Sequence, residues 1–445
     1  MSTLTEQENT NILTLSSSIQ AKTQELATYF ASRSLALPTF SPSPPVADSQ
    51  NSFNADPAYR NLQGTLRTLL SDLNLLIDGP AESIRQISLR PHETGAFQIA
   101  IEFNMFTIVP VSGESIPLSE IASKAGLDEN RTGRILRLLA TNRFFVEPKP
   151  DHFAHTVFSA EVARDEDSRA LLGLACGELF QAASESYRGI KEFLQVAAVG
   201  GGPAEMKNDA THCAWFVKFG VPMYEYYLQN PDKAERFAKA MAGFGKSESS
   251  VAAVVDLFDW KGQVREGTVV DVGGGNGHVS LELAGAFPHL SFVVQDQNED
   301  MLDQGRKTAE EQNLGGRVSF AKADFFEPQP FKRASAFYLR QCTHNWRDEE
   351  VVTIFKSLVP GLEGSDPETP LLINECVLPQ LGAVPRYSER DVRIRDFAMM
   401  INGGSKERTR GDFDALLKEA DPRYEIVNVH DNGASMSLLE IYLKE

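Results

Sequence analysis

The clearest pattern of apolar and polar positions covers residues 268–296, with the sequence TVVDVGGGNGHVSLELAGAFPHLSFVVQD. A β-rich start leads into a glycine-rich turn, and apolar residues at helical spacing follow as far as Pro288. A second β-rich run, residues 291–295, ends at Asp296. The pattern therefore predicts a strand, a glycine turn, a helix and a second strand that ends in an acid.

The same alternation of strands and helices continues to the C-terminal end of the chain. Strand-like runs are 317–322, 334–339 and 370–377, and a helical run is 349–362. Two last β-rich runs, 424–429 and 437–443, flank turn residues and predict a hairpin. We expect an α/β fold whose mostly parallel sheet has an antiparallel C-terminal edge.

The N-terminal part is mainly helical in pattern. Residues 11–36 have amphipathic spacing, and residues 40–57 are a Pro/Ser/Asn-rich linker that predicts no regular element. The first helix fits a dimer arm, a lid over a partner's site or a mobile solvated tail, and the pattern does not choose among them. Two further helical runs, 59–76 and 91–106, follow the linker.

Residues 116–163 have the pattern of a winged helix. A short helix ends at Gly126, Asp128 caps a longer one, and two β-like runs follow. One interpretation is DNA recognition by the arginines of the second helix, Arg131, Arg134 and Arg137. The other is a packing or dimerisation unit, which the neighbouring acids Asp128 and Glu129 favour.

Aromatic residues are dense in the helical stretch 178–262. A core explains most of them, and a subset would line a flat apolar pocket for an aromatic substrate. The domain limits expected from these patterns are 1–57 for the N-terminal helix and linker, 58–175 for the winged-helix-like domain, 176–262 for a helical linker with the substrate pocket, and 263–445 for the nucleotide-binding domain.

Composition narrows the range of partners. The chain has 445 residues, 42% of them hydrophobic and 23% charged, as in ordinary globular proteins. Its net charge of −18 argues against nucleic acid and against an anionic membrane surface. The four cysteines are widely spaced, and the first residues lack the pattern of a secretory signal, so we expect a cytoplasmic protein with reduced thiols.

The glycine turn indicates which nucleotide is bound. A dinucleotide fingerprint requires G-x-G-x-x-G, but His278 occupies the place of its third glycine. The turn suits S-adenosylmethionine, which has a ribose for Asp296 and an amino-acid tail in place of phosphates. Downstream, Asp324 would accept a hydrogen bond from the adenine amino group, and Phe325 would pack on the adenine ring.

His344 is the candidate base because it follows a strand end on the same predicted sheet edge. A neutral imidazole at this position would remove a proton from a phenol or alcohol. Two acids are candidates to orient it, Glu375 at the next strand end and Glu407 in a Gly-rich loop. No Asp/His metal cluster is apparent, and we expect no metal.

The motifs DVGGGNGH, VVQD, KADFF, LRQCTHNW, NECVLP and GGSKERT occur in an order and spacing that cover residues 60–445. In these the chain resembles the cation-independent O-methyltransferases of plant and fungal secondary metabolism. The resemblance implies a class I methyltransferase domain, an N-terminal helical, winged-helix-like dimerisation domain, and a homodimer.

The resemblance also assigns roles to individual residues. It implies His344 as base with Glu375 and Glu407 beside it. The residues implied at the cofactor are Gly273, Gly274, Gly275, Asp296, Asp324, Phe325, Arg340 and Trp346. The residues implied at the acceptor are Met399, Met400 and Asn402, in a loop, and Asn345. Two positions depart from the plant members, which have Lys where this chain has Arg340 and Asp where it has Asn345.

The expected reaction is methyl transfer from S-adenosylmethionine to a hydroxyl of an aromatic, polyketide-type metabolite. An alternative stays open, because some relatives in fungal biosynthesis keep the fold and cofactor but catalyse dehydration or pericyclic ring formation.

Overall fold

The structure, a computed structural model, describes residues 10–41, 56–198, 209–248, 251–264, 266–431 and 436–444. It divides into two compact units. The N-terminal unit takes the described residues of 1–206 and 212–248, together with 385–387. The C-terminal unit takes those of 207–211, 249–384 and 388–445. The segment expected at 176–262 is shared between the two units, and the domain limits inferred from the sequence stay a prediction.

The N-terminal unit consists of helices and one small sheet. Its helices are α1 Ile12–Ser32, α2 Pro57–Glu102, α3 Met105–Ile108, α4 Leu118–Ala125, α5 Glu129–Thr141, α6 Val157–Arg164, α7 Glu166–Leu174, α8 Phe180–Ser184, α9 Ser186–Ala198, α10 Ala214–Phe219, α11 Met223–Gln229 and α12 Pro231–Glu248. Its strands are β1 Ile116–Pro117, β2 Phe145–Lys149 and β3 His152–His155, which form an antiparallel sheet in the order β1-β3-β2.

Helix α1 packs against α2 through aromatic residues. The ring of Tyr59 lies 5.4 Å from that of Tyr29 and 6.0 Å from that of Phe30. The Tyr29 hydroxyl donates to Asp56 at 2.7 Å. These contacts oppose the mobile-tail interpretation of α1. The predicted linker falls largely on residues 42–55, which lie outside the described residues.

The two helical runs expected at 59–76 and 91–106 are joined in one helix, α2. Its backbone is interrupted at Gly79, where φ is 68° and Pro80 follows. The backbone at Gly79 is not helical, so α2 consists of two helical segments that meet at a kink there, and Pro91 lies inside the second segment, not at its start.

The winged-helix pattern is present, but two of its arginines are used within the unit. Arg137 forms ion pairs with Glu147 at 2.8 Å and with Asp151 at 2.6 Å. Arg131 pairs with Asp128, which caps its own helix. Neutralised guanidinium groups are poor partners for phosphate, so the packing interpretation is favoured over DNA binding.

The C-terminal unit is a seven-stranded α/β sheet with two additional short strands. Its helices are α13 Val251–Leu257, α14 His278–Ala286, α15 Glu299–Glu311, α16 Asp348–Glu363, α17 Arg386–Gly403 and α18 Arg410–Ala420. Its strands are β4 Gly267–Val272, β5 Leu290–Asp296, β6 Val318–Lys322, β7 Ala336–Arg340, β8 Leu371–Glu375, β9 Val377–Leu378, β10 Arg408–Thr409, β11 Tyr424–His430 and β12 Ser437–Leu443.

The order of the sheet is β11-β12-β8-β7-β4-β5-β6. Strands β8, β7, β4, β5 and β6 are parallel, and β12 pairs antiparallel with both β8 and β11. The predicted fold class, including its antiparallel edge hairpin, is confirmed.

Both faces of this sheet are buried. Along β7, Phe337 and Leu339 pack into one core with α16 and α18, while Ala336 and Tyr338 pack into the opposite core with α14 and α15. Side chains on a strand alternate between faces, so helices must cover both sides of such a sheet. Among the described helices, none has the length and apolarity needed to cross a membrane.

Candidate active site

The parallel strands bring the predicted site residues to one edge of the sheet. β4, β5, β7 and β8 are parallel and consecutive in the order β8-β7-β4-β5, so their carboxyl ends lie side by side. Asp296, Arg340 and Glu375 are the last residues of three of them. Ligands of open α/β sheets bind at this edge.

The glycine turn lies close against the end of β5. The N–H groups of Gly273 and Gly274 both donate to the carbonyl of Gln295, at 2.8 and 3.0 Å. Gly273 has φ of 71°, a conformation that other residues rarely adopt. A Cβ on Gly274 would lie 2.6 Å from the carboxyl group of Asp271. The turn therefore presents bare backbone, as close approach of a ligand requires.

Asp296 links the turn to the next strand end. One carboxylate oxygen accepts the N–H of Gly275 at 3.0 Å, and the other accepts the N–H of Asn298 at 2.8 Å. A carboxylate has about four acceptor positions. Roughly two therefore stay available for the two hydroxyls of a ribose, which fits the expected role.

The residues expected at the adenine form one aromatic patch. The ring of Trp346 packs edge-on against Phe325 at 5.9 Å and Phe326 at 4.9 Å. Asp324 accepts the N–H of Phe326 at 2.9 Å, which fixes the turn between them. The structure thus brings Asp324, Phe325 and Trp346 together.

Arg340 and a buried acid lie beneath the glycine turn. Arg340 donates to the side-chain oxygen of Asn374, which also accepts the Tyr338 hydroxyl at 3.2 Å. Burial raises the pKa of Asp271 to about 6, although a hydrogen bond from Ser280 at 2.6 Å and the charge of Arg340 oppose this. Asp271 was not among the predicted site residues, although an acid two positions before the glycine run was a visible signal.

His344 occupies a short 3-10 turn, residues Thr343–Asn345, after the end of β7. Its Nδ1 lies 2.8 Å from Oε2 of Glu375. The other oxygen of Glu375 accepts both the N–H of Thr343 at 2.7 Å and its hydroxyl at 2.8 Å. Of the two candidate acids, Glu375 is therefore the one hydrogen-bonded to the imidazole.

The electrostatics of this pair favour a charged carboxylate beside the imidazole. Burial would lower the pKa of His344, but the charge and hydrogen bond of Glu375, with the charge of Glu407, raise it above its ordinary value. Burial opposes ionisation of Glu375, yet His344 and the hydrogen bonds from Thr343 keep its pKa low. The His344 side chain is 17% exposed and that of Glu375 only 1%, so the imidazole keeps limited access to solvent.

Glu407 reaches the same place from another segment. It directly precedes β10, which pairs in parallel with β9, the strand that begins two residues after Glu375. Its N–H donates to Asp396 at 3.0 Å. Burial raises the pKa of Glu407 to about 7; the charge of His344 opposes this, and the charge of Glu375 adds to it.

These three residues have the geometry of a possible metal-binding cluster, contrary to the impression given by the sequence. One donor atom each from His344, Glu375 and Glu407 lies within 4.8 Å of the others. The sequence did not reveal the cluster because three separate segments supply it. Both oxygens of Glu375 already accept hydrogen bonds, which suits a hydrogen-bonded base. That the protein uses no metal stays a prediction.

Three residues expected in an acceptor loop lie on a helix instead. Met399, Met400 and Asn402 belong to the last turns of α17, because the helical pattern continues to Gly403. Met399 and Met400 follow Asp396 by three and four positions, so they share the helix face that holds the backbone of Glu407. Asn402 is buried, and Asn345 ends the turn that carries His344.

The sheet order, the glycine turn and the acid at the next strand end define a class I S-adenosylmethionine-dependent methyltransferase. Comparisons with known proteins agree. Residues 199–422 match the family model of the O-methyltransferase domain, and residues 92–165 match the O-methyltransferase dimerisation domain. The chain therefore belongs to the plant and fungal O-methyltransferase family that its motifs indicated, and its cofactor is S-adenosylmethionine.

Individual relatives extend this result. The chain is 44% identical to O-methyltransferase sol2 of Alternaria solani over 436 residues, which are 97% of this chain and 95% of that protein. OxaC, solved in complex with SAH and oxaline, matches 97% of this chain and 100% of its own with a TM-score of 0.71 and 22% identity. A solved pericyclic reaction enzyme matches 90% and 99% of the two chains with a TM-score of 0.69 and 17% identity. At such identities the two structures show the fold alone.

Proposed function

We propose that the protein methylates a phenolic hydroxyl of an aromatic, polyketide-type metabolite, with His344 as the general base. The observation that carries the proposal is the hydrogen bond from His344 Nδ1 to a buried carboxylate, Glu375, on the sheet edge where the residues expected at the cofactor also lie. A carboxylate only accepts at that position, so Nδ1 carries the hydrogen and Nε2 of the neutral ring has the lone pair.

When bound, S-adenosylmethionine would supply a methyl group on a positively charged sulfur: the acceptor oxygen would bond to the methyl carbon, the carbon–sulfur bond would break, and neutral S-adenosylhomocysteine would leave. The glycine turn and Asp296 would hold its amino-acid tail and ribose, and the patch around Phe325 and Trp346 its adenine. His344 Nε2 would take the proton of the acceptor hydroxyl as its oxygen forms the new bond to carbon. General-base assistance of this kind typically contributes about a hundred- to ten-thousand-fold.

The properties of His344 favour a phenol over an aliphatic alcohol as acceptor. A phenol has an ordinary pKa of about 10, close enough to that of a raised imidazole for efficient proton transfer. Met399 and Met400, which lie on the helix face of Asp396, would provide adaptable apolar contacts to a flat ring.

We further propose that the protein acts as a homodimer in the cytoplasm. The segment that matches the dimerisation domain begins at residue 92, inside α2, and shortly before it the same helix exposes Ile84 and Ile87 at 69% and 58%. Exposed isoleucines three positions apart lie on one helix face, as on a surface that another chain covers. Sedimentation of the parent and of an Ile84→Asp, Ile87→Asp double variant would test this: dimer and monomer are expected, and a monomeric parent would overturn it.

The reaction is tested with methyl-labelled S-adenosylmethionine, a panel of phenolic polyketides and mass detection. The expected result is labelled product from the parent and loss of most of it in His344→Ala, with cofactor affinity by calorimetry unchanged. Labelled product formed equally by both proteins would overturn the role of His344. Consumption of an acceptor to an unlabelled isomer or dehydrated product would overturn methyl transfer and support the pericyclic or dehydrating alternative.

A further inference from the structure

Arg408 is a buried cation whose side chain is 1% exposed. Its Nη1 donates to the carbonyl of Thr343 and its Nη2 to the carbonyl of Trp346, each at 2.8 Å. Its Nε and Nη2 also donate to one oxygen of Asp348, at 3.0 and 2.8 Å. One guanidinium therefore holds both ends of the turn that carries His344, as well as the residue at which the next helix begins.

The same residue belongs to the segment that carries the second acid. Arg408 directly follows Glu407, and in the β10–β9 pairing it lies opposite Val377, two residues after Glu375. The backbone of Arg408 is thus fixed to the strand end of Glu375, while its side chain is fixed to the turn of His344.

The charge of Arg408 is balanced by Asp348. Asp348 also accepts Lys406 Nζ, at 2.6 Å, on its second oxygen. Burial opposes ionisation of Asp348, but the hydrogen bonds from Lys406 and Arg408 hold its pKa below the ordinary value. Among the smaller effects on His344, the charge of Arg408 lowers its pKa.

We propose that Arg408 is a positioning residue that sets the alignment of His344 with Glu375 and Glu407. This rests on the proposed role of His344 as base. Arg408 has three acceptors: a carbonyl group at each end of the turn, and a carboxylate. A planar guanidinium group supplies several donors in fixed directions and can bind all three. Lysine would keep the charge but not the planar group, because its ammonium group cannot reach all three acceptors in fixed directions.

The test compares Arg408→Lys and Arg408→Ala with matched changes at Arg410, an exposed arginine two residues away that makes one bond, at 3.3 Å, to the carbonyl of Ile426. We expect kcat to fall about ten- to a hundredfold in both Arg408 variants, since misplacing a reacting group by about 1 Å costs this much. KM for S-adenosylmethionine should change little, and neither Arg410 variant should lose activity.

A second readout separates positioning from simple loss of folded protein. In Arg408→Ala the acid limb of kcat/KM should move to higher pH, because a charge that lowers the pKa of His344 is gone. Added guanidinium should restore part of kcat by refilling the space. A lower concentration of active sites with parental kcat per site, an unmoved limb and no rescue would overturn the proposal.

Two further variants keep the result decisive. If Arg408→Ala does not fold, Asp348→Asn is measured instead. This change weakens the hydrogen bonds that the Arg408 guanidinium donates to residue 348, and it should reduce kcat with unchanged cofactor affinity. His344→Ala is measured in parallel. Full activity in His344→Ala would remove the proposed base itself, whereas an inactive His344→Ala beside a fully active Arg408→Lys would refute only the positioning role.

Discussion

The hydrogen bonds around Glu375 make Glu375→Gln a directional test of the state of His344. In the parent, one oxygen accepts two hydrogen bonds from Thr343 and the other accepts Nδ1–H of the imidazole. An amide has one accepting oxygen and one donating nitrogen. If the oxygen stays with Thr343, the NH₂ group faces His344 and donates to Nδ1. Nε2 must then carry the hydrogen, and the ring cannot take a proton from the acceptor.

The size of the fall in kcat depends on whether the amide introduced at position 375 can rotate. Turning it round restores the useful tautomer but leaves the N–H of Thr343 facing an NH₂ group, at a cost of about 1–3 kcal/mol. Loss of the carboxylate charge beside the developing imidazolium adds about 1–1.5 kcal/mol, the difference between hydrogen bonds to charged and neutral groups. The sum of about 2–4.5 kcal/mol corresponds to a fall in kcat of roughly thirty- to two-thousand-fold.

The assay is steady-state methyl transfer across the pH range, with cofactor affinity measured separately by calorimetry. Cofactor affinity should be unchanged in Glu375→Gln, and the acid limb of its residual activity should move to lower pH, because the carboxylate that raises the pKa of His344 is gone. Thr343→Val is the control, since it removes one hydroxyl donor and leaves the carboxylate. A Glu375→Gln enzyme within about threefold of the parent in kcat, with an unmoved limb, would refute the reasoning.

Three more outcomes follow from the site. In the parent, the raised pKa of His344 places the acid limb of kcat/KM above the ordinary imidazole value of about 6.5, and activity falls as pH drops through that limb; a pH–rate profile with its limb below that value would contradict this. Gly274→Ala puts a Cβ 2.6 Å from the carboxyl group of Asp271 and should weaken cofactor binding, measured by calorimetry, about five- to a hundredfold. Gly285→Ala is the control, because its Cβ would have nothing within 4 Å and should leave cofactor affinity unchanged. Equal affinities in the two variants would contradict close packing of the turn. Methyl transfer should survive EDTA, and excess Zn²⁺ should inhibit it by occupying the three donor atoms of the His344 cluster; a strict requirement for Mg²⁺ after chelation would overturn the first expectation.

The sheet could be predicted because its determinants are local in sequence. Four of the five parallel strands end in a polar residue, and the fifth, β4, leads into the glycine turn. Helices between short β-rich runs are a pattern typical of parallel order. The N-terminal unit was harder to predict because its helix boundaries do not depend on local sequence alone. Pro91 resembles a helix start, but α2 passes through it, because neighbouring elements can hold a helix against a local preference.

The candidate site could be predicted as a set of residues but not as a set of contacts. The sequence offered Glu375 at a strand end and Glu407 in a Gly-rich loop as candidates to orient His344, and it did not choose between them. Which one bonds His344 depends on how the 3-10 turn folds back over the end of β8, and this turn is held by Arg408, 65 positions away from Thr343. Spacing along a chain carries no signal for a contact of that kind.

Glu375 and Glu407 have different surroundings and therefore different roles. Glu375 is almost wholly buried but accepts three hydrogen bonds, from Thr343 and His344, so it stays ionised and can stabilise a positive imidazole. Glu407 is also buried, and the negative charge of Glu375 nearby helps to raise its pKa to about 7. Two carboxyl groups in one pocket resist ionising together. Near neutral pH, Glu375 therefore holds the charge that orients the base, while the raised pKa of Glu407 leaves a substantial share of that carboxyl group protonated.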